Sequence, residues 1–160
     1  MIVVMQPAAT KKQVEHVVQL VREMGLKDQV HFLGFVPNQR LHLAYQLAEC
    51  FVIATLCESF GIPIVEAFAC GCPAIVPNTC SAPEIANGAA CLIDPRNEAD
   101  IARGLAEVTG SEQLRRRLRE LGLQRAQSLT WNETARRTLD VFNEIVPLQR
   151  LSARSETARA

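Results

Sequence analysis

Cys50-Phe51-Val52-Ile53-Ala54-Thr55-Leu56-Cys57-Glu58-Ser59-Phe60-Gly61-Ile62-Pro63-Ile64-Val65-Glu66-Ala67-Phe68-Ala69-Cys70 is the stretch on which the fold turns. It opens with a largely apolar run of strand length, of the kind expected in a parallel sheet covered on both sides. Pro63 to Cys70 then reads as a helix with proline near its first turn, where a missing N–H costs little. Working outward, Val3 to Met5 form a short β-type run. Thr10, with Gln13 three residues on, opens a helix by a capping box. Val14, Val17, Val18, Val21 and Met24 recur at helical spacing, and Gly25 closes that segment. Val30 to Leu33 is predicted as a second strand, and Asn38 to Ala48 as a helix with Leu41, Tyr45 and Ala48 on one face. Pro73 to Val76 and Cys91 to Ile93 supply further strands around a short helix at Pro83 to Ala86.

Strand and helix thus alternate about five times, which predicts an α/β fold with an open, doubly wound parallel sheet. The right-handed crossover rule is expected to put helices on both faces. Beyond Asp94-Pro95 the chain reads as wholly helical: Glu98 to Val108, Ser111 to Gln127, and Thr130 to Val146. The last has a capping box of its own, Thr130 with Glu133, and an apolar face at Trp131, Ala135, Leu139, Phe142 and Val146. Residues 1–146 form one predicted domain, and 147–160 lack such periodicity and are expected to be a disordered tail.

Composition narrows the function. The chain has 160 residues, 17 basic against 17 acidic side chains and 48% hydrophobic residues, the profile of one globular domain. Zero net charge and only three Lys argue against nucleic acid as a partner. No apolar run approaches the ~20 residues needed to span a membrane, and no basic-then-apolar leader precedes Ile2. The six cysteines sit in apolar segments, so most are expected to be buried thiols, in a reduced, cytoplasmic compartment. Cys70-Gly71-Cys72 fits neither a zinc nor a redox spacing, and His16, His31 and His42 are scattered. Arg115, Arg116, Arg117 and Arg119, with Glu112 and Glu120 on the same helix, read as a solvated face.

There is no Gly-x-Gly among the eight glycines and no Walker-type lysine. The chemistry concentrates in Glu58 to Ala67, which follows the most buried-looking strand and so stands at the carboxyl edge of the sheet, where ligands bind in open α/β folds. A helix starting near Pro63 offers free N–H groups and a positive dipole end to a diphosphate. Gly61 lets the backbone approach a ligand closely. Glu66, one turn inside the helix, can accept from two vicinal hydroxyls such as those of a ribose. Two carboxylates eight positions apart can therefore address two parts of one elongated ligand.

These residues resemble the Glu-x7-Glu motif of the retaining glycosyltransferases with the GT-B fold, commonly E-G-F-G-L-P-x-x-E-A. The likeness runs on through Val30-His31-Phe32-Leu33-Gly34-Phe35-Val36, Ala69-Cys70-Gly71-Cys72-Pro73-Ala74, Ala82-Pro83-Glu84-Ile85, Cys91-Leu92-Ile93-Asp94-Pro95 and Ser128-Leu129-Thr130-Trp131, in the family's order. The resemblance implies the Rossmann-like carboxyl-terminal half of a GT-B enzyme, and transfer of a sugar from a UDP- or GDP-linked donor with retention of configuration. Glu66 would bind the donor ribose, and Glu58 would stand at the reaction centre as the catalytic residue. The backbone at Phe60, Gly61 and Ile62, with Pro63 opening the helix, would hold sugar hydroxyls and diphosphate oxygens. Phe35 and Val36 would pack against the base. No metal and no cofactor beyond the donor is expected.

Against the family pattern, an opening strand before Val3 and the whole amino-terminal acceptor-binding half are absent, and Lys11 and Lys12 do not replace the family's diphosphate-gripping pair. The isolated chain is therefore expected to be inactive or weakly active, with any peripheral membrane association belonging to the absent half. Cys80 and Ser81 stand at a turn where glycine is common. The stripe through Leu139 and Phe142 would be partly exposed and favour self-association. The alternative reading is a non-catalytic nucleotide-sugar-binding subunit that meets a separate acceptor-binding chain. Glu84 reads as a helix N-terminal charge with a structural role.

Overall fold

The computed structural model describes residues 2–3 and 10–145. Its elements are β1 (Ile2–Val3), α1 (Lys11–Glu23), α2 (Asn38–Leu47), β2 (Phe51–Val52), α3 (Ile62–Ala69), β3 (Ala74–Pro77), α4 (Ala82–Ala86), β4 (Ala90–Ile93), α5 (Glu98–Gly110), α6 (Glu112–Ser128) and α7 (Trp131–Ile145). The four strands pair in parallel in the order β1-β2-β3-β4, with Phe51 beside Ala74 and Ile75 beside Cys91.

Why β2 and β3 carry almost no polar residue is visible in their two faces. Phe51, Ile53, Ala74 and Val76 point to one side, into a core built with Tyr45 of α2, Ile64, Ala67 and Phe68 of α3, and Ile85 of α4. Cys50, Val52, Ile75 and Ile93 point to the other, against Val108 of α5 and Leu118 of α6. Each large side chain so buried contributes about 1.5–3 kcal/mol. Both faces are covered, as expected, but by a different route from the predicted one. Among the described residues the strand order does not reverse, and α2, α3 and α4 all pack on the first face. The second face is closed by α5 and the first half of α6, which arrive after the last strand.

Two glycines set how closely the helices approach. A Cβ on Gly104 of α5 would lie 2.6 Å from Ile93 Cγ2, and one on Gly122 of α6 would lie 2.9 Å from Phe68 Cδ1. The second half of α6 thus crosses onto α3, where Leu121, Ala126 and Leu129 join the first core.

Local signals fared well at the helix ends. Thr10 and Gln13 make the full capping box. Gly25, at φ 70°, lets its own N–H reach Arg22 O and Leu26 N–H reach Val21 O, closing α1 with a Schellman turn. Asn97 and Ser111 cap α5 and α6 through their side chains.

Four expectations need correction. Val30 to Leu33 is not a strand. A strand exists by pairing, and no described residue is laddered on the outer side of β1, so Phe32 and Leu33 stand exposed. The Thr130 box is half formed: Thr130 Oγ1 accepts from Glu133 N–H at 3.2 Å, but the Glu133 carboxylate turns to Arg136 and Arg137. The arginine block is not simply a solvated face. Arg119 Nε donates to Gly71 O at 2.9 Å and Arg115 donates to Val108 O at 3.0 Å, whereas the exposed Arg116 pairs with Glu112 along a solvated face as expected. Finally, Cys57 and Cys80 are exposed, whereas Cys50 and Cys72 are buried as expected. Val4, Met5, Val146 and the predicted tail lie outside the described residues.

Candidate functional site

The loop from β2 to α3 emerges at the carboxyl end of the parallel strands, and Gly61 is its pivot. Gly61 caps α3 at φ 91°, a left-handed conformation that favours glycine, and it is buried. A Cβ there would meet Ile64 Cδ1 at 2.9 Å. The requirement for glycine therefore comes from the fold itself. Helix α3 starts one residue before Pro63, which brings no N–H, and Ile64 N–H bonds back to Gly61 O at 2.9 Å. The free amide that α3 offers at its start is thus that of Ile62.

Glu66 lies one turn into α3, half-buried, and its Oε2 accepts a hydrogen bond from Tyr45 Oη at 3.1 Å. Tyr45 is itself buried and meets the Phe51 ring edge-on, centroids 5.5 Å apart and planes at 72°. Burial, with the adjacent Glu66 carboxylate, pushes the Tyr45 phenol well above its ordinary range, so it stays a donor at every physiological pH. One carboxylate oxygen is thereby held while the other remains for a ligand. The sequence puts Tyr45 on one face of α2 with Leu41 and Ala48 and leaves this role unassigned. The signal was available: a buried phenol needs a partner, and Tyr45 is the chain's single tyrosine.

Glu66 lines a cleft of about 230 Å³ with Phe60, Ile62, Val65, Trp131 and Thr134, between α3 and the start of α7. Of the expected site residues, the structure therefore brings Glu66, Phe60 and Ile62 together around one opening. Gly61 and Pro63 belong to the same turn without lining it. Glu58 stands before the turn, its Oε1 accepting from Ser59 N–H at 3.2 Å and its carbonyl accepting from Ser81 Oγ at 2.8 Å. Phe35, 89% exposed, and Val36 lie on the loop before α2 and outside the cleft lining. Trp131 and Thr134 join the cleft without having been singled out for it, because their approach depends on where α7 departs from α6.

Among the described residues, no three His, Cys, Asp or Glu side chains converge as a metal-binding group, and no helix is long and apolar enough to cross a membrane. Thr55 Oγ1, in the strand-to-loop passage, is buried without a hydrogen-bond partner.

The comparison with protein families matches residues 10–125 to the glycosyl transferases group 1 model, an interval that includes the whole β2–α3 loop and Glu66. The chain belongs to the glycosyl transferases group 1 family. Among curated group 1 relatives, the O-antigen chain mannosyltransferase B of Escherichia coli is 29% identical over 78% of this chain and 32% of its own length. The mannosylfructose-phosphate synthase of Agrobacterium fabrum is 33% identical over 74% of this chain and 27% of its own. The chain thus spans about a third or less of the relatives it matches. Among solved structures, the sucrose-phosphate synthase of Thermosynechococcus elongatus superposes with a TM-score of 0.76 at 24% identity, over 88% of this chain and 36% of that one, which establishes likeness of fold. The C-terminal domain of a group 1 glycosyl transferase from Francisella tularensis matches with a TM-score of 0.67 at 25% identity, over 74% and 63%. The mixed α/β architecture with a parallel sheet is thereby shared with group 1 glycosyltransferases of the GT-B type.

Proposed function

We propose that this chain is the donor-binding half of a retaining glycosyltransferase and takes a UDP- or GDP-linked sugar at the carboxyl edge of its sheet. The observation that carries the reading is the Glu66 carboxylate, held by Tyr45 Oη at one oxygen and facing the cleft between α3 and α7. A carboxylate so placed suits the vicinal hydroxyls of a ribose. The Ile62 amide and the positive end of α3 suit the diphosphate. Glu58, before the turn, is the residue assigned to the reaction centre beside the transferred sugar, and Phe35 with Val36 to the base. Catalysis with retention would rest on electrostatic stabilisation of the departing nucleoside diphosphate, with no metal taking part. Acceptor binding, and any membrane contact, would belong to a separate half.

The test is titration of the purified chain with UDP-glucose and GDP-mannose, followed by calorimetry or protein resonance shifts. Saturable binding at millimolar concentration, lost in a folded Glu66→Ala variant, is expected. No binding of any nucleotide sugar in that range would overturn the reading.

A second reading has its own observation. Helix α7 buries no residue, and Trp131, Phe142 and Ile145 are 79%, 60% and 70% exposed. An apolar face of that kind suits a non-catalytic subunit that meets a separately encoded acceptor-binding chain. Restoration of sugar transfer on mixing with such a chain would select it, and the same face would support self-association of the chain alone.

A further inference from the structure

Cys57 and Cys80 come from different loops, the one after β2 and the one after β3, yet their sulfurs lie 2.8 Å apart. Both are exposed, unlike the other four cysteines, which are buried or half-buried. A disulfide bond measures about 2.05 Å, so less than about 1 Å of closure separates this contact from a covalent link. The approach is held from both sides: Ser81 Oγ donates to Glu58 O at 2.8 Å and Thr79 Oγ1 donates to Leu56 O at 3.3 Å. Cys80 sits at φ 54°, a backbone region that non-glycine residues rarely take.

We propose that Cys57 and Cys80 form a redox-active dithiol, a modification site at which a peroxide converts the pair into an intramolecular disulfide tying the Glu58 loop to the loop before α4. Either thiol can react first as its thiolate; Cys80, which the contact between the two sulfurs lowers while it raises Cys57, is the nearer to ionising. Its sulfur takes one peroxide oxygen, the O–O bond breaks, and the leaving hydroxide collects a proton to become water. The Cys57 sulfur then displaces the second oxygen as water, forming the S–S bond. Two thiols lose two protons and two electrons, and one peroxide becomes two waters. A dithiol reductant reverses the link by exchange. Because Glu58 directly follows Cys57, the thiol state governs the freedom of the loop that bears it. The cross-link itself does not depend on the donor-site reading.

The reduced chain, desalted and treated under native conditions with one equivalent of hydrogen peroxide, should lose the mass of two hydrogens. Peptide mapping should join Cys57 to Cys80, and dithiothreitol should restore the starting mass. Amide hydrogen exchange at residues 57–61 should slow several-fold in the oxidised form. Cys57→Ser should abolish the cross-link while leaving thermal unfolding unchanged, and should leave Cys80 oxidised to a sulfenic acid that dimedone traps. A wild-type map showing another cysteine pairing, only intermolecular links, or sulfinic acid without a cross-link would overturn the proposal.

Discussion

Tyr45 Oη donates to Glu66 Oε2 at 3.1 Å, joining α2 to α3 by a hydrogen bond that reaches from the buried core to the cleft. The ring belongs to the core and the oxygen to the site, so the two contributions separate by substitution. Tyr45→Phe keeps the edge-on contact with Phe51 and removes only the donor. A net loss of about 0.5–1.5 kcal/mol is expected for one such bond, read by denaturant unfolding. On the proposed donor-site reading, nucleotide-sugar affinity should fall by roughly 3- to 10-fold, as Glu66 gains freedom. Tyr45→Ala should cost about 3–5 kcal/mol, because a cavity opens under α2.

The same pair sets a dependence on alkaline pH. The folded Tyr45 phenol titrates above its ordinary 10.0, so its protonated form favours folding. Its contribution is fully present below about pH 10 and is lost as pH rises toward the folded-state value. Stability measured across that range should decline, and Tyr45→Phe should flatten the decline.

Gly104 and Gly122 are predicted to tolerate no side chain. The neighbours that an added methyl would strike, Ile93 and Phe68, are fully buried, and Ile75 stands 3.3 Å from the same Gly104 position. Overpacking of this kind costs about 1–3 kcal/mol. Gly104→Ala and Gly122→Ala should each lower the denaturant midpoint, while Gly110→Ala, whose Cβ would meet open space, should not.

Arg125 is predicted to act as a clamp. Its Nε donates to Ile85 O and its second terminal nitrogen to Glu84 O, both at 2.9 Å, fastening α4 to α6. Arg125→Met preserves the aliphatic stem and removes the donors. Charged hydrogen bonds of this sort are worth about 1.5–3 kcal/mol, and a loss in that range should appear in thermal unfolding. Faster amide exchange should be confined to α4.

Glu133 is predicted to make α7 sensitive to acid. Hydrogen bonds from Arg136 and Arg137 lower its carboxyl from 4.5 to about 2, so the charged form favours the folded helix. That support is complete above about pH 4.5 and disappears as pH falls through about 2. The helical far-ultraviolet signal should weaken over this interval, and Glu133→Gln should remove the dependence.

Features encoded within one turn of chain were legible in the sequence. The Thr10 and Gln13 box, the Gly25 stop, the helix around Pro63 and the apolar runs of β2 and β3 each follow from neighbouring residues. The Glu58 to Ala67 segment was likewise recognisable as the candidate site, because glycine and proline fix a turn between strand and helix. Val30 to Leu33 shows where that legibility stops. Its composition suits a strand, but strands form in pairs, and composition does not reveal whether a partner edge is present.

By itself, then, the sequence determined the α/β alternation, the helix boundaries and the position of a two-carboxylate turn at the end of a buried strand. These depend on periodicity and on local backbone preference. Only the tertiary structure decided that Tyr45 holds Glu66, that Arg119 and Arg125 fasten α6 to distant carbonyls, that Trp131 borders the cleft, and that Cys57 meets Cys80. Where a partner is named, each joins groups 21 or more positions apart. Contacts of that span depend on how strands order and helices cross, and no local pattern in the chain encodes them.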